Sequence, residues 1–148
     1  MIFSNKFRVI ALFAMVLTIA ATTVPAKPQS DNSPDNIKGT VKVSAEEFIE
    51  LVNSNPDVIV VDSRIPGDRK QGYLEGSVSL PDIDTNCQSL AKVIPKKTQA
   101  ALFYCNGIKC GRSAKAVKIA IDCGYKNTYW FRGGFEEWLA KGYPYLHE

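Results

Sequence analysis

The chain alternates between short apolar runs and longer stretches in which apolar residues recur every three or four positions. "VKV" (41–43) forms a short strand, and Ser44 followed by Glu47 is a capping box for the helix after it. In that helix Ala45, Phe48, Ile49 and Val52 fall at i, i+3, i+4 and i+7, the spacing of one buried face. "VIVVD" (58–62) is a continuous apolar run, as expected of a central parallel strand covered on both faces. A polar, glycine-containing loop runs to about Gly72, and "SVSLP" (77–81) gives a short strand ending at Pro81. Asp84 or Thr85 caps a second helix whose apolar positions Cys87, Leu90, Ala91 and Ile94 share one face, and Pro95 follows its end.

"AALFYC" (100–105) is a further buried strand. From Ser113 to Asp122 the period is helical: Ala114, Val117 and Ile121 face inward, Lys115, Lys118 and Asp122 outward, and Gly124 stands where a left-handed C-cap glycine belongs. "NTYWF" (127–131) makes the last strand, Gly133-Gly134 turns the chain, and Phe135, Trp138 and Leu139 line a final helix ended by Gly142. Strands too apolar to face water, alternating with helices, imply an α/β fold. The expected form is a three-layer α/β/α sandwich around a central, mainly parallel sheet of about five short strands. Ligands of such sheets bind outside the carboxyl ends of the strands. Cys105, the last residue of a central strand and directly ahead of a helix, is delivered to that place.

The N-terminus has a different pattern. Lys6 and Arg8 precede an uncharged, mostly apolar stretch from Val9 to Ala21, and Val24-Pro25-Ala26 supplies small residues where a signal peptidase reads. Residues 1–26 are expected to be a secretory signal cleaved after Ala26, which places the protein in the periplasm or outside the cell. The competing reading is an uncleaved anchor, although the apolar stretch is short of the roughly 20 residues that span a bilayer. Residues 27–39, "KPQSDNSPDNIKG", are polar with two prolines and read as a flexible linker. The remainder, 40–148, suits one domain with one core. Of the 18 Lys+Arg residues two lie in the signal, which leaves 16 against 15 Asp+Glu, a net charge of +1. That balance argues against a nucleic-acid partner, which would need a basic stripe. Lys92, Lys96, Lys97 and Lys141 are scattered and read as solvated surface.

The chemistry concentrates in "FYCNGIKCGRSAKA" (103–116). The leading amides of the helix that begins near Gly111 have no intrahelical acceptors and carry the positive end of its dipole. Gly107 and Gly111 allow the intervening backbone of Ile108, Lys109 and Cys110 to curl so that its N–H groups converge. An anion held there needs no metal, and a cysteine at the strand end is itself such an anion once ionised, so the pKa of Cys105 should be depressed. Arg112 adds a forked cation for an oxyanion substrate.

Four pieces, in order, resemble single-domain rhodaneses, the thiosulfate sulfurtransferase family. "VVDSR" (60–64) stands where that family has a strand ending in Asp-x-Arg, and "GYLEGSVSLP" (72–81) resembles its Gly-His-Ile-Pro-Gly-Ala stretch with Tyr73 in the histidine's place. "FYC" opens the active-site loop that Arg112-Ser113 closes, and "FRGGFEEWLAKGYP" (131–144) is similar to the closing Gly-Gly-x-x-x-Trp signature. The resemblance implies a rhodanese-like fold and a Cys105 persulfide. That persulfide would take its sulfur from a small anionic donor such as thiosulfate and pass it to a thiol or cyanide-like acceptor, with no bound cofactor. It also implies a substrate cradle from Asn106 through Gly111 with Arg112 and Ser113, braced by Asp62 and Arg64 from the neighbouring strand. A surface ion pair is the alternative reading of Asp62 and Arg64. The loop departs from the family: six residues separate Cys105 from Arg112, where the common loop has four and the related cell-cycle phosphatases five. A phosphorylated or arsenate-like substrate is therefore an alternative. Against it, the only histidine is His147 and no carboxylate follows the cysteine as an obvious general acid.

Cys110 is unexplained by the family pattern. It is either a resolving thiol that attacks the Cys105 persulfide, the partner in a protective or regulatory disulfide, or a residue that only shapes the loop. Two further classes stay open: a non-catalytic rhodanese-like binding module, and a thiol–disulfide redox protein built on Cys105 and Cys110. A metal site is disfavoured, because the cysteine pair lacks the second pair or the histidines that zinc requires. Cys87 and Cys123 read as small core residues, and a bridge between them is compatible with the sequence without following from it. Trp130, Phe131 and Trp138 read as core rather than as an acceptor site. Arg132, at the active end of the sheet, reads as an exposed arginine or as an attractor of anions.

Overall fold

A computed structural model describes residues 33–147. The expected signal at residues 1–26 and the first part of the expected linker lie outside the described residues. Five strands and five helices alternate: β1 (Val41–Val43), α1 (Ala45–Ser54), β2 (Ile59–Asp62), α2 (Pro66–Arg69), β3 (Val78–Ser79), α3 (Cys87–Val93), β4 (Ala101–Tyr104), α4 (Arg112–Asp122), β5 (Thr128–Phe131) and α5 (Gly134–Ala140). The sheet runs β1-β5-β4-β2-β3, and every pairing is parallel. Its centre is β4, which pairs Ala101–Tyr104 with Ile59–Asp62 on one side and with Thr128–Phe131 on the other.

Side-chain alternation along these strands divides the core in two. Val61, Ala101, Phe103 and Trp130 point to one face, where Leu90 and Ile94 of the α3 region and Ala116, Val117 and Ala120 of α4 cover them. Val60, Leu102, Tyr104 and Phe131 point to the other, under Ala45 and Phe48 of α1 and Phe135 and Trp138 of α5. The result is the three-layer sandwich. Both faces are dry, which is why β2 and β4 read as unbroken apolar runs. Trp130, Phe131 and Trp138 are all core, and Phe48 packs against both Phe131 and Trp138, with ring centroids 5.8 and 5.2 Å apart.

Three local expectations are corrected. The cap of α3 is Asn86, not Asp84 or Thr85: its side chain accepts from the amides of Gln88 and Ser89, and Ser89 reciprocates to the Asn86 amide. The polar loop after β2 contains a helical turn, α2, with Pro66 at its start, where a missing N–H is harmless. The described part of the expected linker is docked rather than loose. Ile37 is buried in the core against α4, and Arg132, instead of facing solvent or awaiting an anion, donates to the carbonyl of Pro34 at 2.7 Å and pairs with Asp35 at 3.0 Å. Lys42 Nζ also donates to Asp35 O at 3.0 Å and Thr128 Oγ1 to Gly39 O at 3.1 Å, so several contacts tie down this polar segment.

Candidate active site

The loop between β4 and α4 leaves the sheet at its carboxyl edge. Cys105 follows β4 directly and is only 1% exposed. The amide of Cys110 donates to the carbonyl of Gly107 at 2.9 Å, closing a tight turn. Lys115 N–H donates to Gly111 O at 3.0 Å, so the amides of Arg112, Ser113 and Ala114 stand ahead of the first helical bond, where the helix offers them no acceptor. The loop is thus curled, and the start of the helix is open.

The loop is also held from α5. Phe135 N–H donates to Cys105 O at 2.9 Å and Glu136 N–H to Asn106 O at 2.6 Å. Gly134 permits this approach. It has φ +58°, and a Cβ there would run into the Cys105 carbonyl. The Gly-Gly turn is therefore a clamp on the cysteine's own backbone. Gly107 is close-packed too, since a Cβ on it would meet the Glu136 side chain.

All four cysteines are paired. Cys105 is bonded to Cys110, with Cα atoms 6.2 Å apart, and Cys87 to Cys123 at 5.5 Å. Cys87 and Cys123 are therefore a bridge between the start of α3 and the end of α4 rather than two separate core thiols. The loop pair shows that Cys110 reaches Cys105, the juxtaposition required of a resolving or regulatory thiol.

Arg112 does not stand alone at the cradle. Its Nη1 lies 3.4 Å from Asp68 Oδ2 and 3.9 Å from Cys110 Sγ, and its Nε lies 3.7 Å from Asp82 Oδ1. These are loose contacts, beyond the usual hydrogen-bond range. Asp68 also accepts from Asn106 Nδ2 at 2.8 Å, and Asp82 pairs with Lys115 at 3.0 Å. A cavity of about 400 Å³ opens beside the loop, lined by Asn106, Lys109, Cys110, Gly111, Arg112 and Glu136 from the loop side and by Ile65, Asp82 and Ile83 opposite. Ile108 lies outside it, exposed at the loop tip. Ser113 is placed differently from the rest of the expected cradle: its hydroxyl is buried and accepts from Trp130 Nε1 at 3.0 Å, which leaves only its backbone at the loop.

Asp62 and Arg64 form a buried pair, not a surface one. Arg64 Nε and Nη2 donate to the two Asp62 oxygens at 2.9 and 2.7 Å, and Nη2 also reaches Gly72 O at 2.8 Å. The guanidinium lies 4.5 Å from the Phe135 ring centroid, while Tyr104 OH donates to Asp62 at 2.7 Å and Arg69 Nη1 at 3.2 Å. Burial alone would raise the Asp62 pKa, but the hydrogen bonds and charge of Arg64 outweigh it and hold the carboxyl below its ordinary value. Burial, and then the Asp62 charge, push the Tyr104 phenol well up, so it remains a donor. This network fixes the last residue of β4, one position before Cys105, and ties it to α5 through Phe135.

Sequence reasoning missed Asp68, Asp82, Glu136 and Ser63. Asp82 and Ser63 had a usable signal, since each lies just past the carboxyl end of a strand. Ser63 donates its amide to Tyr104 O at 3.0 Å, and alternation sets it on the α4 side with Cys105. Its hydroxyl is fully buried and has no hydrogen-bond partner among the described residues. Asp68 and Glu136 sit inside α2 and α5, and nothing local in the sequence points them at the loop.

Residues 44–141 match the family described as the rhodanese-like domain. A thiosulfate:glutathione sulfurtransferase of Saccharomyces cerevisiae is 26% identical over 124 residues, spanning 76% of this chain and 88% of that protein. Among solved structures, the polysulfide-sulfur transferase of Wolinella succinogenes is similar with a TM-score of 0.61 and 25% identity over 74% of this chain and 80% of that one. A thiosulfate sulfurtransferase of Pseudomonas aeruginosa shares the fold, with a TM-score of 0.63 and 19% identity over 73% of this chain and 20% of the other. With its parallel five-stranded sheet, its strand-end cysteine and a family match across two thirds of its length, the chain belongs to the rhodanese-like domain family.

Proposed function

We propose that the protein is an exported sulfurtransferase that carries sulfur as a persulfide on Cys105. The observation that carries this reading is the position of Cys105, between the end of β4 and the open N-terminal turn of α4. The N-terminal pattern of residues 1–26 and the two disulfides support an oxidising compartment.

In the reduced protein the Cys105 thiolate attacks the outer sulfur of thiosulfate. The sulfur–sulfur bond of the donor breaks, its electron pair leaves with sulfite, and the Cys105 persulfide remains. An acceptor thiolate or cyanide then attacks the outer sulfur, and Cys105 departs as thiolate. The uncommitted amides of Arg112, Ser113 and Ala114 favour the anionic sulfur in both states. Arg112 attracts the donor, although Asp68 and Asp82 already offset part of its charge. Asp62, Arg64 and Tyr104 position the strand end.

The test is thiocyanate formation from thiosulfate and cyanide by pre-reduced protein. Wild type and Cys110→Ser turn over, and Cys105→Ser does not; equal activity in Cys105→Ser refutes the assignment. The Cys105–Cys110 bond favours a second reading, a thiol–disulfide redox protein. On that reading Cys110→Ser abolishes dithiol-dependent reductase activity, and no thiocyanate forms with any variant.

A further inference from the structure

The two sulfurs of the loop disulfide are not equivalent. Cys105 is 1% exposed, packed between the strand end and the α5 clamp, and contributes nothing to the cavity beside the loop. Cys110 is half-buried and lines that cavity, whose volume of about 400 Å³ is enough for a cysteinyl side chain and its backbone. Arg112 Nη1 lies 3.9 Å from the Cys110 sulfur, a cation beside the atom that an incoming thiolate would approach. The rim carries two apolar side chains in solvent, Ile65 and Ile83, the latter 74% exposed.

We infer that Cys110 is a thiol-entry site: an external thiol reopens the loop by attacking the Cys110 sulfur from this cavity, and Cys105 is the sulfur that leaves. The inference rests on the sulfurtransferase reading only for the use made of the freed Cys105. Exchange depends on which sulfur an incoming thiolate can reach. The accessible sulfur is that of Cys110, so Cys105 is the sulfur that departs.

The thiolate RS⁻ forms a bond to Cys110 Sγ; the Cys105–Cys110 bond breaks, and its electron pair goes to Cys105. A second thiolate then attacks the RS sulfur, forming RSSR and releasing the Cys110 thiolate, which takes a proton from solvent. Two external thiols are oxidised and the loop disulfide is reduced. The site that passes sulfur on is thus opened through a different atom from the one that carries the sulfur.

The oxidised full-length chain is exposed briefly to glutathione, quenched with acid, alkylated and digested with trypsin. Lys109 separates the two cysteines onto different peptides. The expected result is glutathione on the Cys110 peptide, in at least about tenfold excess over the Cys105 peptide, with the alkyl group on Cys105. Glutathione mainly on Cys105, equal labelling, or a loop disulfide inert to excess thiol overturns the inference. A parallel arm uses reduced thioredoxin, with and without Ile83→Glu. Slower reduction by thioredoxin alone identifies a protein as the natural thiol, and an unchanged rate identifies a small one, both with Cys110 as the entry point. Thiosulfate added afterwards reads the other claim separately: absence of persulfide on Cys105, after correct labelling of Cys110, removes the sulfurtransferase reading and leaves the entry site.

Discussion

Replacing Asp62 with asparagine tests what holds the strand end that precedes Cys105. The carboxylate is fully buried and accepts five hydrogen bonds: from the amide of Arg64 at 3.1 Å, its Nε at 2.9 Å and its Nη2 at 2.7 Å, from Tyr104 OH at 2.7 Å, and from Arg69 Nη1 at 3.2 Å. Asparagine keeps the shape but removes the charge and turns an NH2 group toward donors. Arg64, 1% exposed, is then a buried cation facing a neutral amide. Breaking a buried pair in this way costs about 3–5 kcal/mol, a large share of the roughly 5–15 kcal/mol that holds a domain together. Urea unfolding of oxidised Asp62→Asn should show a midpoint lowered by about 1.5 M or more, at an unchanged m-value. The matching loss for Asp62→Ala separates the role of the charge from that of the cavity. A loss under about 1 kcal/mol, the range of solvent-exposed pairs, would refute the claim that this pair is a buried brace.

Four further outcomes are expected. Because Asp62 has a lowered pKa in the fold, its contribution is present above the unfolded carboxyl value near 4 and is lost as pH falls through the folded one. Acid unfolding curves should therefore be less steep in Asp62→Asn than in wild type. Tyr104, with its pKa raised, works in the opposite sense, and as pH rises above about 10 wild type should weaken more steeply than Tyr104→Phe. Ser113→Ala leaves Trp130 Nε1 buried without its acceptor and should cost about 1–3 kcal/mol in urea unfolding, with pre-reduced thiocyanate formation largely retained. Removing the Cys87–Cys123 bridge with a pair of alanines opens a loop of 36 residues and should cost about 3–4 kcal/mol, with no change in Cys105 alkylation rate after reduction.

Much of the architecture could be read from the chain because it is written locally. The Ser44–Glu47 box, the unbroken "VIVVD" and "AALFYC" runs and Gly124 each depend on neighbours within a few residues, and all stand where the pattern placed them. The cap of α3 slipped to Asn86 because three residues in a row, Asp84, Thr85 and Asn86, can all cap, and only the reciprocal bond from Ser89 decides among them. What could not be read is long-range. The docking of residues 33–39 depends on Arg132, nearly a hundred positions away, and the Cys87–Cys123 pairing on how α3 meets α4. At the site, Cys105 was legible as a strand-end residue. The carboxylates that temper Arg112 were not, because Asp68 and Asp82 reach it only after β2 is laid beside β4 and β3 beside β2. Gly134 was legible as a turn; its closeness to the Cys105 carbonyl was not.

Whether Cys105 accepts and carries sulfur is read most directly by intact and peptide mass spectrometry of pre-reduced chain after incubation with thiosulfate. A gain of one sulfur atom is expected on the peptide holding Cys105, lost on addition of cyanide and absent from Cys105→Ser. Added sulfur on Cys110 with Cys105 unmodified, or an unchanged mass in a protein whose Cys105 is demonstrably free, would contradict that role.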